Sequence, residues 1–104
     1  MDYDLDVIES EVKSGKAQLF DVREVDEWQE GHLAAAALVP LSDLQMNELP
    51  EKLNPDLPTY LHCKSGRRVF AAQPCLEEMG FKKVIPLHEG FEELLSLGFT
   101  PADD

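Results

Sequence analysis

The apolar residues of the chain follow two different patterns, one typical of helices and one typical of buried strands. Between Leu5 and Val12 the apolar residues recur at helical spacing, and Gly15 follows where such a helix would end. The next segment, 17–22, is mostly apolar and centred on Leu19 and Phe20, which is typical of a buried strand. The two patterns then take turns along the chain, so the sequence predicts alternating helices and strands.

The remaining elements follow from the same reading. The segment 25–30 predicts a short helix, with Trp28 as its anchor in the core. Ser42 fits a capping box that opens another helix. Pro74 lies inside a long helical pattern, where we expect a kink. Strands are predicted at 38–40, 59–62 and 83–87, and the two further helices at 42–49 and 67–79.

Alternating strands and helices favour an α/β fold with three layers, in which a mainly parallel central sheet carries helices on both faces. With 104 residues, the chain is expected to form a single domain over 1–104. Strand 59–62 would then end at the carboxyl edge of the sheet, where open α/β sheets bind their ligands.

Composition narrows the classes of function. The net charge of −12 argues against nucleic acid and anionic membrane surfaces as partners, and no apolar run approaches the roughly 20 residues of a membrane span. The acidic N-terminus does not have the features of a signal peptide. Two cysteines without metal-ligand spacing indicate neither a disulfide scaffold nor a zinc site. We therefore expect a cytoplasmic protein.

A basic cluster contrasts with this acidic background. Three of the nine basic residues fall between Lys64 and Arg68, directly after Cys63, and Gly66 lies among them. Cationic neighbours, loop N–H groups and a helix N-terminus all favour the thiolate, which is the reactive form of cysteine. The cluster predicts a nucleophilic cysteine that receives an anionic substrate, in preference to a cysteine buried for packing alone.

The segment from His62 to Arg68 resembles the active-site loop of the rhodanese family of sulfurtransferases. A second block, 21–33, has the D-V-R-E, acidic–aromatic and G-H-aliphatic order that is similar to the same family's N-terminal pattern. The resemblance implies that Cys63 carries a persulfide and that no metal or organic cofactor takes part. It also implies that the loop binds the donor through Lys64, Ser65, Gly66, Arg67 and Arg68.

Three residues outside the loop are expected to support it: Asp21, Arg23 and His32. Asp21 and Arg23 would form a buried or half-buried ion pair that fixes the end of a strand, because unpaired charges are rarely tolerated near a core. The alternative is that Arg23 helps to set the electrostatic field around Cys63. His32 is expected to be a hydrogen-bonded structural histidine and not a general base.

The sequence departs from the family pattern in four places, one of which is Leu94, at the position where the family has a tryptophan. Glu89 replaces a glycine near the mouth of the active site, where a carboxylate would repel anionic donors or select a cationic or protein partner. The alanines at 34–37 replace a proline–glycine turn and predict a more helical or reshaped turn. The short strand that usually precedes the first helix is expected to be missing. Apart from these departures, Cys75, inside the helix that follows the loop, is interpreted as a buried structural cysteine, with the resolution of an oxidised Cys63 as the alternative.

The resemblance implies a sulfurtransferase that moves a sulfane sulfur from thiosulfate, or a similar small anionic donor, to cyanide, a thiol or an acceptor protein. A non-catalytic binding or regulatory module and a persulfide carrier for one partner remain open alternatives. A phosphatase or arsenate reductase fits less well, because the C-x4-R loop from Cys63 to Arg68 is one residue shorter than the C-x5-R loop of tyrosine phosphatases.

Overall fold

The computed structural model describes residues 3–50 and 53–103. Helices and strands alternate along the chain as the sequence pattern predicts. The described helices are α1 (Leu5–Lys13), α2 (Val25–Glu30), α3 (Leu41–Gln45), α4 (Arg68–Glu78) and α5 (Phe91–Ser96). The described strands are β1 (Gln18–Asp21), β2 (Ala36–Leu38), β3 (Thr59–His62) and β4 (Val84–Pro86).

The four described strands form one sheet in the order β2-β1-β3-β4, and each neighbouring pair is parallel. In the central pair, Leu19 lies opposite Tyr60 and Phe20 lies opposite Leu61. Parallel neighbours require a crossover connection, and the helices between the strands supply it. The predicted parallel sheet is therefore confirmed.

Helices cover both faces of this sheet. Successive side chains of a strand point to opposite faces, and Leu19 and Phe20 accordingly belong to two separate core clusters. The clusters draw on different helices: Leu44 of α3 and Leu76 of α4 join Phe20, whereas Ile8 of α1 and Leu94 of α5 join Leu19. The predicted three-layer α/β architecture is confirmed.

The start and end of α3 differ from the prediction. Pro40 is the N-cap residue and supplies no side-chain hydrogen bond, and the hydroxyl of Ser42 donates instead to Glu24 Oε1 at 2.6 Å. The predicted capping box is therefore wrong. The helix ends at Gln45, four residues earlier than predicted, because Asn47 has a left-handed φ of 59° that a right-handed helix does not continue.

Trp28 is not the core anchor that the sequence predicted. The helix that carries it, α2, has only six residues and none of them is buried. Trp28 is half-buried, and its ring stacks on the His32 ring with 3.5 Å between the centroids. Because α2 lies at the surface, its tryptophan packs against the following loop and stays outside both core clusters.

The alanine segment forms a reshaped turn and a strand, and it is not helical. Ala34 and Ala35 turn the chain, and the N–H of Ala36 donates to the Leu33 carbonyl oxygen at 3.2 Å. The strand that follows spans Ala36–Leu38, two residues before the predicted 38–40. Among the described residues, all of which follow position 2, no strand precedes α1.

The helix after the cysteine, α4, continues through Pro74 without interruption. The predicted kink at this proline stays a prediction. Cys75 is half-buried and packs against the core cluster of α3 and α4, with its sulfur 3.6 Å from the Ala71 carbonyl oxygen. In the part of the chain from 3 to 50 and from 53 to 103, no helix has the length and apolar character required to cross a membrane.

Candidate active site

Cys63 lies at the carboxyl edge of the sheet, directly after β3. All four residues of β3 are buried, and Cys63 itself is fully buried. The backbone is held from two sides, because the Phe91 N–H donates to the Cys63 carbonyl oxygen at 2.9 Å and the Val22 N–H donates to the His62 carbonyl oxygen at 3.0 Å. The sheet and α5 therefore fix the position of the cysteine.

The residues from Cys63 to Arg67, here called the Cys63 loop, turn back over the sulfur. The N–H of Gly66 donates to Cys63 Sγ at 3.2 Å. Arg67 is the N-cap residue of the 11-residue α4, so the sulfur is bound just before the start of this helix. Backbone N–H groups and the helix dipole both favour negative charge at such a position.

Two glycines allow the Cys63 loop to pack against residues 88–90, here called the facing loop. Gly66 has a φ of 79°, and a Cβ there would overlap the carbonyl oxygen of His88. A Cβ at Gly90 would overlap the carbonyl oxygen of Lys64. The two loops therefore meet backbone against backbone, and a side chain at either glycine would force them apart.

Arg68 forms a two-pronged salt bridge with Glu27 of α2. The Nη1–Oε1 distance is 2.6 Å and the Nη2–Oε2 distance is 2.9 Å. The guanidinium lowers the pKa of the Glu27 carboxyl to about 2, and the same hydrogen bonds raise the pKa of Arg68. The described structure thus uses Arg68 to connect the start of α4 with α2, and its predicted contact with a donor stays a prediction.

The other candidate donor-binding residues remain at the surface. Lys64, Ser65 and Arg67 are exposed, while Gly66 between them is buried. Lys64 and Arg67 therefore place two cationic side chains on the solvent side of the loop that encloses the sulfur. An anion that approaches Cys63 would meet these charges first.

Asp21 and Arg23 form the buried ion pair that the sequence predicted. Arg23 Nη2 lies 2.8 Å from Asp21 Oδ2, and both side chains are almost fully buried. The same Nη2 donates to the Gly31 carbonyl oxygen at 2.8 Å, and the guanidinium lies 4.3 Å from the centre of the Phe91 ring. The pair therefore connects the end of β1 with the end of α2 and with the start of α5.

His32 has the hydrogen-bond contact that the sequence predicted, and its structural role stays a prediction. Its Nδ1 lies at hydrogen-bond distance, 2.8 Å, from the Trp28 carbonyl oxygen. Its ring stacks on the Trp28 indole. These contacts hold His32 at the end of α2.

His62 was not among the predicted site residues. It is the last residue of β3 and is fully buried, and neither ring nitrogen has a hydrogen-bond partner among the described residues. Burial lowers the pKa of the imidazole, so the ring is neutral near pH 7 although its Nε2 lies 3.7 Å from Asp21 Oδ2. The signal in the sequence was its place in a buried strand immediately before Cys63.

A cavity of about 270 Å³ opens beside the Cys63 loop. It contains both signs of charge and has one aromatic wall. Its lining residues are Arg23, Glu27, Glu30, Gly31, Lys64, Phe91 and Glu92. A larger cavity, of about 430 Å³, lies between α4 and β4 and reaches the facing loop at His88. The smaller one is the better candidate for a substrate, because it includes a residue of the Cys63 loop.

This chain is similar in sequence to several known proteins. The model of the rhodanese-like domain family matches residues 4–97. The uncharacterized protein YqhL of Bacillus subtilis is 36% identical over 87 residues, which cover 82% of this chain and 68% of that protein. The thiosulfate sulfurtransferase GlpE of Coxiella burnetii is 35% identical over 81 residues, which cover 78% of this chain and 74% of that protein.

Two further relatives extend this comparison. The putative sulfur carrier protein YrkF of Bacillus subtilis is 30% identical over 90 residues, and the match covers 86% of this chain but only 48% of that protein. The structure of the human single-domain sulfurtransferase TSTD1 superposes with a TM-score of 0.73 at 25% identity, over 88% of this chain and 92% of that one. The matched region therefore covers most of the length of GlpE and TSTD1, but only about half of the length of YrkF.

Proposed function

The chain belongs to the rhodanese-like domain family, and we propose that it is a sulfurtransferase that carries sulfur as a persulfide on Cys63. The observation that carries the proposal is the hydrogen bond from the Gly66 N–H to Cys63 Sγ, within a loop that also exposes Lys64 and Arg67. A buried sulfur with an N–H donor and nearby cations is suited to negative charge, first as a thiolate and then as a persulfide.

In the first half-reaction, the Cys63 thiolate attacks the outer sulfur of thiosulfate. A new S–S bond forms between Sγ and that sulfur, while the S–S bond of thiosulfate breaks and its electron pair leaves with sulfite. The products are the Cys63 persulfide anion and sulfite, so charge and atoms balance. The name of the GlpE relative, a thiosulfate sulfurtransferase, supports thiosulfate as the donor.

In the second half-reaction, a nucleophile attacks the outer sulfur of the persulfide. If the nucleophile is cyanide, the product is thiocyanate, and if it is a thiolate, the product is a new persulfide. In both cases the electron pair of the broken S–S bond returns to Cys63 Sγ, which regenerates the thiolate. The loop N–H groups would bind the anionic sulfur throughout, because both forms of the cysteine carry negative charge.

The cationic side chains of the Cys63 loop would act mainly while the donor binds, before its sulfur is transferred. Lys64 and Arg67 are exposed and would attract a small anionic donor to a protein whose net charge is −12. Arg68 already has Glu27 as its partner. Arg68 would therefore position the start of α4. Its positive charge, partly neutralised by Glu27, would also favour negative charge on the Cys63 sulfur.

A persulfide carrier that serves one partner protein is the second candidate. Two observations favour it: the relative YrkF is named as a putative sulfur carrier protein, and Glu89 lies in the facing loop beside the Cys63 loop. The chemistry on Cys63 would be the same. The two candidates differ in whether a small donor such as thiosulfate suffices.

Thiocyanate formation from thiosulfate and cyanide tests the proposal. We expect the wild-type protein to form thiocyanate and Cys63→Ser to show only the background rate. Cys75→Ser is the matched control, because Cys75 lies along α4 outside the Cys63 loop, and it should retain activity. Transfer by Cys63→Ser at the wild-type rate would refute the role of Cys63. An inactive wild-type protein that accepts sulfur from a protein persulfide would favour the carrier.

A further inference from the structure

The facing loop carries a glutamate at the point where its backbone meets the Cys63 loop. Glu89 lies between two residues whose backbones touch the Cys63 loop, since the His88 carbonyl borders Gly66 and Gly90 borders the Lys64 carbonyl. The adjacent N–H of Phe91 donates to the Cys63 carbonyl oxygen. Glu89 is therefore flanked on both sides by residues that hold the facing loop against the Cys63 loop.

The carboxylate of Glu89 is bound by Tyr3 of the N-terminal segment, which lines the larger cavity between α4 and β4. The hydroxyl of Tyr3 donates to Glu89 Oε1 at 2.7 Å, although 86 positions separate the two residues. The same hydroxyl oxygen accepts the His88 N–H at 3.1 Å. Tyr3 therefore binds two consecutive residues of the facing loop, one through its side chain and one through its backbone.

The phenol of Tyr3 is suited to this role. Burial raises its pKa, and the neighbouring carboxylates of Glu89 and Glu93 raise it further, so the hydroxyl keeps its proton and donates. An ionised phenol could not form the bond to a carboxylate. The contact thus restrains the Glu89 side chain, although it leaves its charge in place.

From this geometry we infer that Tyr3 is a positioning residue that holds the Glu89 carboxylate away from the Cys63 loop and thereby keeps that loop accessible to anionic donors. The inference rests on the proposed function, in which the loop binds an anionic sulfur donor. Without the Tyr3 hydroxyl, the Glu89 carboxylate is free to turn toward Lys64 and the loop N–H groups. It would then compete with the substrate as an anion attached to the protein itself.

The first test measures the preference of Cys63 for an anionic reagent without any sulfur transfer. Iodoacetate and iodoacetamide both alkylate a thiolate by displacing iodide, but only iodoacetate is negatively charged. Their rates would be followed at the peptide that contains Cys63, so Cys75 does not interfere. For Tyr3→Phe we expect the ratio of iodoacetate rate to iodoacetamide rate to fall by roughly threefold or more, and the fall to shrink at high ionic strength.

Matched variants show whether the effect passes through Glu89. Glu89→Gln and the double variant Tyr3→Phe/Glu89→Gln should have the same ratio, at or above the wild-type value, because no carboxylate remains to be released. Tyr60→Phe removes a comparable hydroxyl–carboxylate hydrogen bond, from Tyr60 to Glu11 at 2.9 Å, and should leave the ratio unchanged. Steady-state kinetics with thiosulfate should show the same pattern in KM, with little change in kcat.

An unchanged ratio in folded Tyr3→Phe would overturn the inference, and so would a fall in the double variant as large as in Tyr3→Phe. A wild-type Cys63 that reacts with neither reagent would also overturn it, because the loop would then not admit anions at all. These outcomes are separate from a failure of the proposed function, which would appear as absent sulfur transfer with the alkylation pattern intact.

Discussion

Arg68 and Glu27 are joined by two parallel hydrogen bonds, although 41 positions separate them in the chain. Glu27 belongs to α2 and Arg68 is the first residue of α4. The pair therefore connects the two sequence blocks that carry the family resemblance. Glu27 thus supplies the counter-charge for Arg68 from a distant part of the sequence.

Glu27→Gln should lower the free energy of unfolding by about 1 kcal/mol, since the pair is partly exposed and one charge-assisted bond is retained in weakened form. Urea denaturation measures the change. Glu30→Gln, at an exposed position of the same helix, is the matched control and should leave stability unchanged. Equal effects of the two variants would contradict the structural role assigned to the salt bridge.

The difference between wild type and Glu27→Gln should depend on pH. Arg68 lowers the pKa of folded Glu27 from 4.5 to about 2. A depressed carboxyl pKa gives stability that is fully present above the unfolded value and is lost as pH falls toward the folded value. The difference in unfolding free energy should thus be constant above pH 4.5 and shrink between pH 4.5 and about 2. A difference that grows in this range would have the wrong sign.

Gly66→Ala should disrupt the Cys63 loop far more than a glycine replacement usually does. Gly15→Ala is a close control, because both glycines have a φ of 79°, but a Cβ at Gly15 meets no atom of residues 3–50 and 53–103 within 4 Å. We expect a cost of about 1 kcal/mol at Gly15 from the left-handed backbone alone. At Gly66 the overlap with the His88 carbonyl adds roughly 1–3 kcal/mol and reduces sulfur transfer. Equal costs at the two sites would disprove the close approach of the loops.

Asp21→Asn should be strongly destabilising, by about 3 kcal/mol, because it leaves the buried Arg23 guanidinium without its counter-charge. Thermal or urea unfolding measures this. The control is Asp56→Asn, which breaks the exposed pair between Asp56 and Lys82 and should have little effect. If the two substitutions destabilised the protein equally, Asp21 and Arg23 would not act as a buried pair.

The parts of this structure that depend on local pattern could be predicted from the sequence. A short apolar run that ends at Cys63 predicts β3, and the closeness of Asp21 and Arg23 in sequence makes their pairing predictable. The bonds from Arg68 to Glu27 and from Tyr3 to Glu89 could not be predicted, because they depend on how the sheet brings distant segments together.

The capping box at Ser42 failed for a related reason. The pattern was locally correct, but the hydroxyl of Ser42 has a nearby competitor in Glu24, which lies 18 positions earlier. Trp28 was misplaced because its hydrophobicity predicts burial, whereas α2 lies at the surface and offers the ring His32 as a stacking partner. In both cases tertiary contacts decided between options that the sequence alone leaves equal.

The most direct test of the central claim is mass spectrometry of the reduced protein before and after incubation with thiosulfate, with the added mass mapped to a peptide. We predict a gain of one sulfur atom on the peptide that contains Cys63, its removal by cyanide, and no gain in Cys63→Ser. A sulfur atom found on Cys75, or a gain that persists in Cys63→Ser, would contradict the assignment of Cys63 as the persulfide carrier.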